Sequence, residues 1–191
     1  MLHLDVTLIF PNSLKIKCGE IITGPPEANG RIKGAFRYTP EYLQHPDAFP
    51  LDPANLPLTP KEFPSNRPQG IHGVFEDALP DDWGRKILVR KATLRPREQT
   101  EPRLLEALGS SGMGALCFET GNTIGTQDPS ADILNLEQLL ELAVRYDAGE
   151  QLSDQEFCSL AIYGSSPGGA RPKSLVRDKD NSLWLAKFPK H

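Results

Sequence analysis

The chain of 191 residues is long enough to bury a core, and 38% hydrophobic with 24% charged residues is typical of a globular protein. A net charge of −4, with basic residues scattered among acids, argues against direct binding of nucleic acid. Because the N-terminus has no basic leader and no apolar run reaches the length of a membrane span, we expect a cytoplasmic protein without a membrane partner.

The first part of the chain alternates apolar and polar residues. The segments LDVTLIF, LKIKCGEII and RIKGAFRY place apolar residues at every second position, which predicts an antiparallel meander. Between Pro40 and Pro68, eight prolines remove backbone donors and disfavour helix interiors and central strands. This segment is too apolar for a free linker, so we expect it to lie along the surface of the domain.

A helix is predicted after the proline-rich segment. In DDWGRKILVRK, acidic residues open the helix and basic residues close it, as the helix dipole favours. Trp83, Ile87 and Leu88 are predicted to share one face, with Trp83 as a core anchor rather than a ligand stack. Four carboxylates are interpreted as dipole and capping residues of this helix: Glu76, Asp77, Asp81 and Asp82.

A second helix and a strand complete the first part. The helix is predicted from Glu101 to Leu108 with Thr100 as its cap, and SGMGALCFE then turns into a strand. The polar run from Gly121 to Asp132 interrupts all periodicity and has the composition of a domain boundary. We therefore divide the chain into a β-rich subdomain, residues 1–125, and a second part, residues 126–191.

The second part reads as two helices and a hairpin. NLEQLLELAVRYDAG begins with a capping-box pattern at Asn135 and Gln138, and SDQEFCSLAIYG repeats that pattern at Ser153 and Glu156. The first of these helices carries an apolar stripe of Leu136, Leu139, Leu140, Ala143 and Val144. KSLVRDKDNSLWLAKF predicts two short strands about a polar turn, so the fold class is α+β.

The glycine-rich stretch YGSSPGGARPKS joins the second helix to the hairpin. Its letters GSSPG fit the nucleophile elbow of serine hydrolases, but Ser166 follows a helix and precedes a strand, the reverse of the order that an elbow requires. A serine hydrolase with Ser166 as nucleophile therefore stays a remote alternative. A Walker loop also fails, because no lysine directly follows the last glycine.

A kinase-style loop fits the stretch better. Such a loop covers the nucleotide phosphates with backbone N–H groups, and a lysine on a later strand contacts the phosphates. The predicted phosphate ligands are Gly168, Gly169, Ala170, Arg171, Lys173 and Lys187. Lys187 would share a strand face with Leu183 and Leu185. From spacing alone, a plain hairpin with a solvated lysine is favoured over this interpretation, because short motifs produce many false positives.

Four motifs together resemble the HipA family of bacterial serine/threonine kinase toxins: GSSPGGARPKS, LWLAKFP, LPDDWGRKIL and LGSSGMGALCFE. The resemblance covers most of the chain and implies a small β-rich N-terminal subdomain, followed by helices and a β-hairpin of the N-lobe of a HipA-like kinase. It further implies that the loop binds ATP from Gly168 to Lys173 and that Lys187 contacts the nucleotide phosphates. Ser166 would then be the autophosphorylated serine, with Ser165 as the alternative.

The same resemblance implies cofactors and partners. These are ATP and magnesium in the complete kinase, a HipB-like helix-turn-helix antitoxin, and a protein substrate such as an aminoacyl-tRNA synthetase. Family members carry the catalytic aspartate and magnesium ligands in a C-terminal lobe beyond KFP, whereas this chain ends at His191. We therefore expect the N-terminal part of such a kinase, without catalytic residues and inactive in phosphotransfer alone.

An interpretation from another class stays open beside the kinase. The chain could be a non-catalytic binding module that docks to a separate kinase lobe or to an antitoxin. The remaining reactive side chains do not favour either interpretation, since His3 and His72 are isolated and read as structural or surface groups. No metal site is predicted. Three cysteines without ligand spacing are predicted to be buried apolar residues: Cys18, Cys117 and Cys158.

Overall fold

Five antiparallel strands form one sheet in the computed structural model of the chain, which describes residues 1–112, 114–121, 136–164, 173–177 and 182–187. The strands of this sheet are β1 (Leu2–Ile9), β2 (Lys15–Thr23), β3 (Gly34–Tyr38), β4 (Glu62–Pro64) and β5 (Leu116–Glu119). They lie in the order β4-β3-β2-β1-β5. The predicted meander of three alternating segments is confirmed, and the sheet with its helices confirms the α+β class.

A β-bulge in β2 changes the face on which the apolar residues lie. Val6 pairs with Gly19, but Thr7 pairs with Lys17, so Cys18 is an extra residue in the ladder. Its thiol contacts the carbonyl of Val6 at 3.3 Å and both Cys18 and Gly19 are buried. The prediction that Cys18 and Cys117 are buried is confirmed, whereas the side chain of Cys158 lies outside the described structure.

The proline-rich segment is more structured than an extended excursion. It contains α1 (Pro40–Leu43), with proline at the start of the helix, and the edge strand β4. The start of a helix and an edge strand both tolerate proline. The prediction that these prolines disfavour helix interiors and central strands therefore holds. The hydroxyl of the buried Tyr38 donates to the carbonyl of Leu56 at 2.7 Å, and Leu56 is itself fully buried. The segment therefore contributes to the core as well as to the surface.

Two helices of the first part lie close to their predicted bounds. They are α3 (Asp82–Lys91), with Asp81 at its N-cap, and α4 (Glu101–Leu108), whereas the short helix α2 (Gly73–Glu76) was not predicted. Glu76 belongs to α2 and pairs with Arg67, and Asp77 is the C-cap of α2, so assigning these two residues to the start of α3 was wrong. Thr100 occupies the N-cap of α4 as predicted, although neither Asp81 nor Thr100 makes a side-chain capping bond.

The second part consists of α5 (Leu136–Asp147), α6 (Asp154–Gly164), β6 (Lys173–Arg177) and β7 (Leu183–Lys187). The predicted capping box of α6 is present, since Ser153 Oγ accepts from the N–H of Glu156 at 3.3 Å and Glu156 accepts from the N–H of Ser153 at 2.8 Å. In α5 the predicted stripe is partly wrong, because Leu136 is 50% exposed. The proposed boundary at 125 falls outside the described residues.

Two clusters of buried side chains share helix α3. The first lies between the sheet and the helices of residues 1–119 and includes Leu88. The second joins Trp83 and Ile87 to α5, α6 and the hairpin. Trp83, Ile87 and Leu88 are all buried, as predicted, but they do not all pack into the same core. No helix among the described residues is long and apolar enough to cross a membrane.

Candidate functional site

The hairpin of β6 and β7 brings two of the predicted phosphate ligands to one place. Its register pairs Lys173 directly with Lys187, and then Leu175 with Leu185. Lys173 is the first residue of β6 and Lys187 the last residue of β7. Residues directly opposite in an antiparallel pair project to the same face. The two lysine positions therefore lie together at the end of the hairpin that the glycine-rich stretch enters.

The two faces of the hairpin have different environments. Val176 and Ala186 pack against the second cluster and so mark the inner face. Alternation along the strand places Leu185 and Lys187 on the opposite face, where Leu185 is 40% exposed and Lys187 is exposed. Position 183 shares that face, as the sequence predicted. Positions 173 and 187 therefore belong to the face opposite the inner one, and Lys187 on that face is exposed.

The remaining residues of the predicted site lie outside the described structure. They are Ser165, Ser166, Gly168, Gly169, Ala170 and Arg171. The structure describes the residues on either side of this stretch, Gly164 at the end of α6 and Lys173 at the start of β6. The assignments of ATP ligands and of the phosphorylated serine therefore stay predictions.

Like charges directly opposite each other in a sheet destabilise it. The pairing of Lys173 with Lys187 places two ammonium-bearing positions in that arrangement without a carboxylate at either pairing position. An anion bound beside both lysines would offset the repulsion, and phosphate oxygens accept charge-assisted hydrogen bonds from ammonium groups. The chemistry that fits this end of the hairpin is therefore the binding of a phosphate or another small anion.

A second charged group lies on the outer face of the large sheet and was missed from the sequence. Lys17 Nζ is 2.8 Å from both Asp5 Oδ1 and Glu20 Oε1, and Arg37 Nη2 is 2.7 Å from Glu20 Oε2. His3 Nε2 lies 3.5 Å from Glu20 Oε2, so the interpretation of His3 as isolated was wrong. Histidine and carboxylate atoms come within 4.8 Å of one another here, but the Lys17 ammonium lies between the carboxylates. The arrangement is that of a salt-bridge network.

This network makes stability depend on pH. Hydrogen bonds from Lys17 and Arg37 lower the pKa of Glu20 to about 2. A carboxyl group whose pKa is depressed by folding stabilises the protein above its unfolded pKa, and that contribution is lost as the pH falls toward the folded value. We expect Glu20→Gln to lower the free energy of unfolding by about 1–2 kcal/mol at pH 7, allowing for solvent screening, and to have little effect near pH 2.

Urea unfolding of wild type and Glu20→Gln between pH 2 and pH 7 measures this dependence. Glu41→Gln is the matched control, because Glu41 is an exposed carboxylate in the first turn of α1. A difference between wild type and Glu20→Gln that stays constant across the pH range would contradict the assignment of the network to Glu20.

His72 is a structural residue rather than a ligand. It occupies the N-cap position of α2, is 8% exposed, and lies edge-on to Phe75 with ring centroids 6.2 Å apart. Burial lowers the pKa of His72, which favours the neutral imidazole. The structural interpretation of this histidine is consistent with that environment.

A small open cavity of about 180 Å³ lies near the start of the chain. Its lining combines the end of β2 with the first turn of α4 and includes Thr23, Arg97 and Arg103. Arg103 pairs with Glu106 at 2.7 Å, and Arg97 is the other cation of the lining. The cavity shares no lining residue with the hairpin, so it is not part of the predicted phosphate site.

Comparison with known families identifies the first part of the chain. Residues 14–119, more than half of the chain, match the HipA N-terminal domain. The matched range includes the motifs LPDDWGRKIL and LGSSGMGALCFE and ends before the glycine-rich stretch and the hairpin. No curated protein is similar enough to the chain to count as a match. Strands β2 to β5 with α3 and α4 therefore belong to a HipA N-terminal domain, and the chain belongs to the HipA family.

Proposed function

We propose that the chain is the nucleotide-binding N-terminal part of a HipA-like toxin serine/threonine kinase. The observation that carries this proposal is the direct pairing of Lys173 with Lys187 at the end of the hairpin that follows the glycine-rich stretch. In this arrangement the backbone N–H groups of the stretch surround the phosphates of ATP, and the paired lysines neutralise them. The shared family supports the proposal, while the matched range itself lies before the loop.

The other functional assignments follow from the same proposal. ATP binds with magnesium, whose ligands come from the catalytic lobe of the kinase, as does the aspartate that orients the substrate hydroxyl. Ser166, or alternatively Ser165, receives the phosphoryl group during autophosphorylation. A HipB-like helix-turn-helix antitoxin is the regulatory partner in a toxin–antitoxin pair, and the substrate is a component of translation such as an aminoacyl-tRNA synthetase.

The Lys187→Ala variant tests the nucleotide site. Removing one charged hydrogen-bond donor from a phosphate costs about 1.5–3 kcal/mol, so we expect the affinity for ATP to fall about tenfold to a hundredfold. Lys187 is exposed and the last residue of its strand, so the variant should unfold at nearly the same urea concentration as wild type. Isothermal titration calorimetry with ATP, in the presence of magnesium, measures the affinity.

A matched control separates the paired lysine from lysines in general. Lys61 is also exposed and precedes the edge strand β4, in the domain that carries the sheet, so Lys61→Ala should leave the affinity for ATP unchanged. The proposal is wrong if wild type does not bind ATP, or if Lys187→Ala and Lys61→Ala bind it equally well. A second readout is the protection of Lys187 from amine acetylation by ATP, which mass spectrometry detects directly.

A binding module is the second candidate, and one observation favours it. The family match and the larger of the two cores fall on the sheet domain rather than on the hairpin. A domain with its own core can present a surface to an antitoxin without taking part in catalysis. Capture of a HipB-like antitoxin by the purified chain, together with no detectable ATP binding, would support the module over the nucleotide site.

A further inference from the structure

Arg90, near the end of α3, ties the HipA N-terminal domain to the start of α6. Its guanidinium donates from Nη2 to the carbonyl of Leu152 at 2.9 Å. The same group lies 4.2 Å from the centroid of the Phe157 ring and 5.6 Å from that of Tyr146. Leu152 immediately precedes the capping box of α6, and Phe157 lies in its first turn. One side chain therefore contacts both the backbone and the apolar face of the beginning of α6.

The opposite end of α6 leads into the proposed phosphate site. The helix runs for 11 residues from Asp154 to Gly164, a length of about 16 Å at the usual rise per residue. The glycine-rich stretch begins directly after Gly164. A helix of this length transmits a shift or tilt at its first turn to its last turn, because its backbone is internally hydrogen-bonded. The position of Gly164, where the described helix ends, thus depends on what holds the start of α6.

The hairpin depends on the same cluster. Val176 of β6 and Ala186 of β7 pack against the cluster that contains Phe157 and Leu160 of α6. Ala186 directly precedes Lys187, and Val176 shares its strand with Lys173. The strands that carry the paired lysines therefore pack against the core that α6 helps to form. Arg90 is an α3 side chain that reaches from the sheet domain to the start of that helix.

We propose that Arg90 is a positioning residue that orients the hairpin of β6 and β7, with its lysine pair, through α6. This inference rests on the proposed function for what the hairpin binds, but not for the mechanical link itself. A guanidinium suits the role because its planar fork donates a directed hydrogen bond while its face lies over an aromatic ring. Aromatic contacts around it complete the link, since Tyr146 lies edge-on to Trp83 with centroids 5.4 Å apart.

The matched control lies on the same helix. Arg85 is also partly buried on α3 and donates to a backbone carbonyl, that of Pro80, at 3.0 Å. Its carboxylate contact is Glu101 of α4, at 3.5 Å, so both of these partners lie in the sheet domain. Arg85→Ala therefore removes a comparable guanidinium without touching α5, α6 or the hairpin. The two variants differ in which part of the chain loses its contact.

Hydrogen exchange on the full chain tests the mechanical link. In Arg90→Ala we expect amides of β6, β7 and the first turn of α6 to exchange about five- to twentyfold faster, as loss of one charged hydrogen bond and one cation–π contact predicts. Arg85→Ala should leave these amides unchanged. Arg90→Lys keeps a cation near Phe157 but lacks the planar fork, so we expect intermediate protection.

ATP titration of the same variants tests the link to the proposed function. Arg90→Ala should weaken ATP binding about tenfold, while the lysines and the loop are unaltered in sequence. If hairpin exchange changes but wild type binds no ATP, the positioning role stands and the nucleotide site is wrong. If hairpin exchange is the same in Arg90→Ala and Arg85→Ala, the positioning role is overturned. Should Arg90→Ala fail to fold, Phe157→Leu takes its place, because it removes the ring beneath the guanidinium. We expect the same faster exchange of the hairpin amides and the same weaker binding of ATP.

Discussion

Replacing Trp83 with alanine is expected to lower the free energy of unfolding by about 3–5 kcal/mol, the usual cost of deleting a large buried aromatic side chain. Trp83 is 2% exposed and packs in the second cluster against Tyr146. Because Trp83 projects from the HipA N-terminal domain into the core of α5 and α6, the loss should fall mainly on the contacts between the two parts. Urea unfolding, followed by circular dichroism, measures the change.

The second tryptophan provides the control. Trp184 lies on β7 and is 61% exposed, so Trp184→Ala should cost less than about 1 kcal/mol by the same measurement. The effect of Trp83→Ala should also be localised, with faster hydrogen exchange in α5 and α6 than in β1 and β2. Equal costs for the two tryptophans, or a uniform loss of protection through the sheet, would show that α3 does not join two cores.

Trp83→Phe refines the interpretation of that site. The indole Nε1 of Trp83 is buried and has no hydrogen-bond partner among the described residues. An unpaired buried donor is costly, so phenylalanine removes an unfavourable group together with some of the packing. We expect Trp83→Phe to cost less than half as much as Trp83→Ala. A cost equal to that of alanine would mean that the indole nitrogen has a partner.

Replacing Gly34 with alanine should be comparably severe, at about 3 kcal/mol, because the added methyl group would overlap a backbone atom. A Cβ at this position would lie 2.1 Å from the carbonyl oxygen of Gly70 and 2.8 Å from Thr23 Cγ2. Gly34 begins β3 and pairs with Thr23. The Gly70 oxygen belongs to the backbone, so rotating a side chain cannot relieve the overlap, and the strand or the loop that carries Gly70 must shift.

Gly24→Ala is the matched control for this variant. Gly24 follows β2 directly, and the nearest atom to its added Cβ would be the Lys33 carbonyl oxygen at 3.7 Å, an ordinary contact distance. We expect Gly24→Ala to change the free energy of unfolding by less than about 0.5 kcal/mol, since alanine also reduces the entropy of the unfolded chain. Thermal or urea unfolding of both variants gives the comparison. Similar costs at the two glycines would exclude a steric cause at Gly34.

Local signals in the sequence predicted several elements correctly. The capping box at Ser153 and Glu156 forms as expected, because its two hydrogen bonds join residues three apart and need no distant partner. Helix α3 begins and ends where the acidic and basic residues predict. The hairpin strands and their shared faces also follow from alternation alone. The elements that were predicted well are those whose stabilising contacts lie within a few residues.

The candidate site was only partly predictable for the same reason. That Lys173 and Lys187 both belong to strands followed from the pattern, but their direct pairing depends on the hairpin register. The contacts of Arg90 could not be predicted from its neighbours in sequence, because its partners Leu152 and Phe157 lie far along the chain. The network around Lys17 was missed because it joins three strands and depends on the bulge at Cys18.

By itself, the sequence determined the α+β class, the bounds of the main helices and strands, and the family to which the chain belongs. Tertiary structure alone decided that α3 serves two cores, with Leu88 in one and Trp83 and Ile87 in the other. Periodicity shows which side of a helix is apolar, because it depends on the residues of that helix. It does not show how many neighbours that side contacts, since those neighbours come from distant parts of the chain whose burial depends on the whole packed structure.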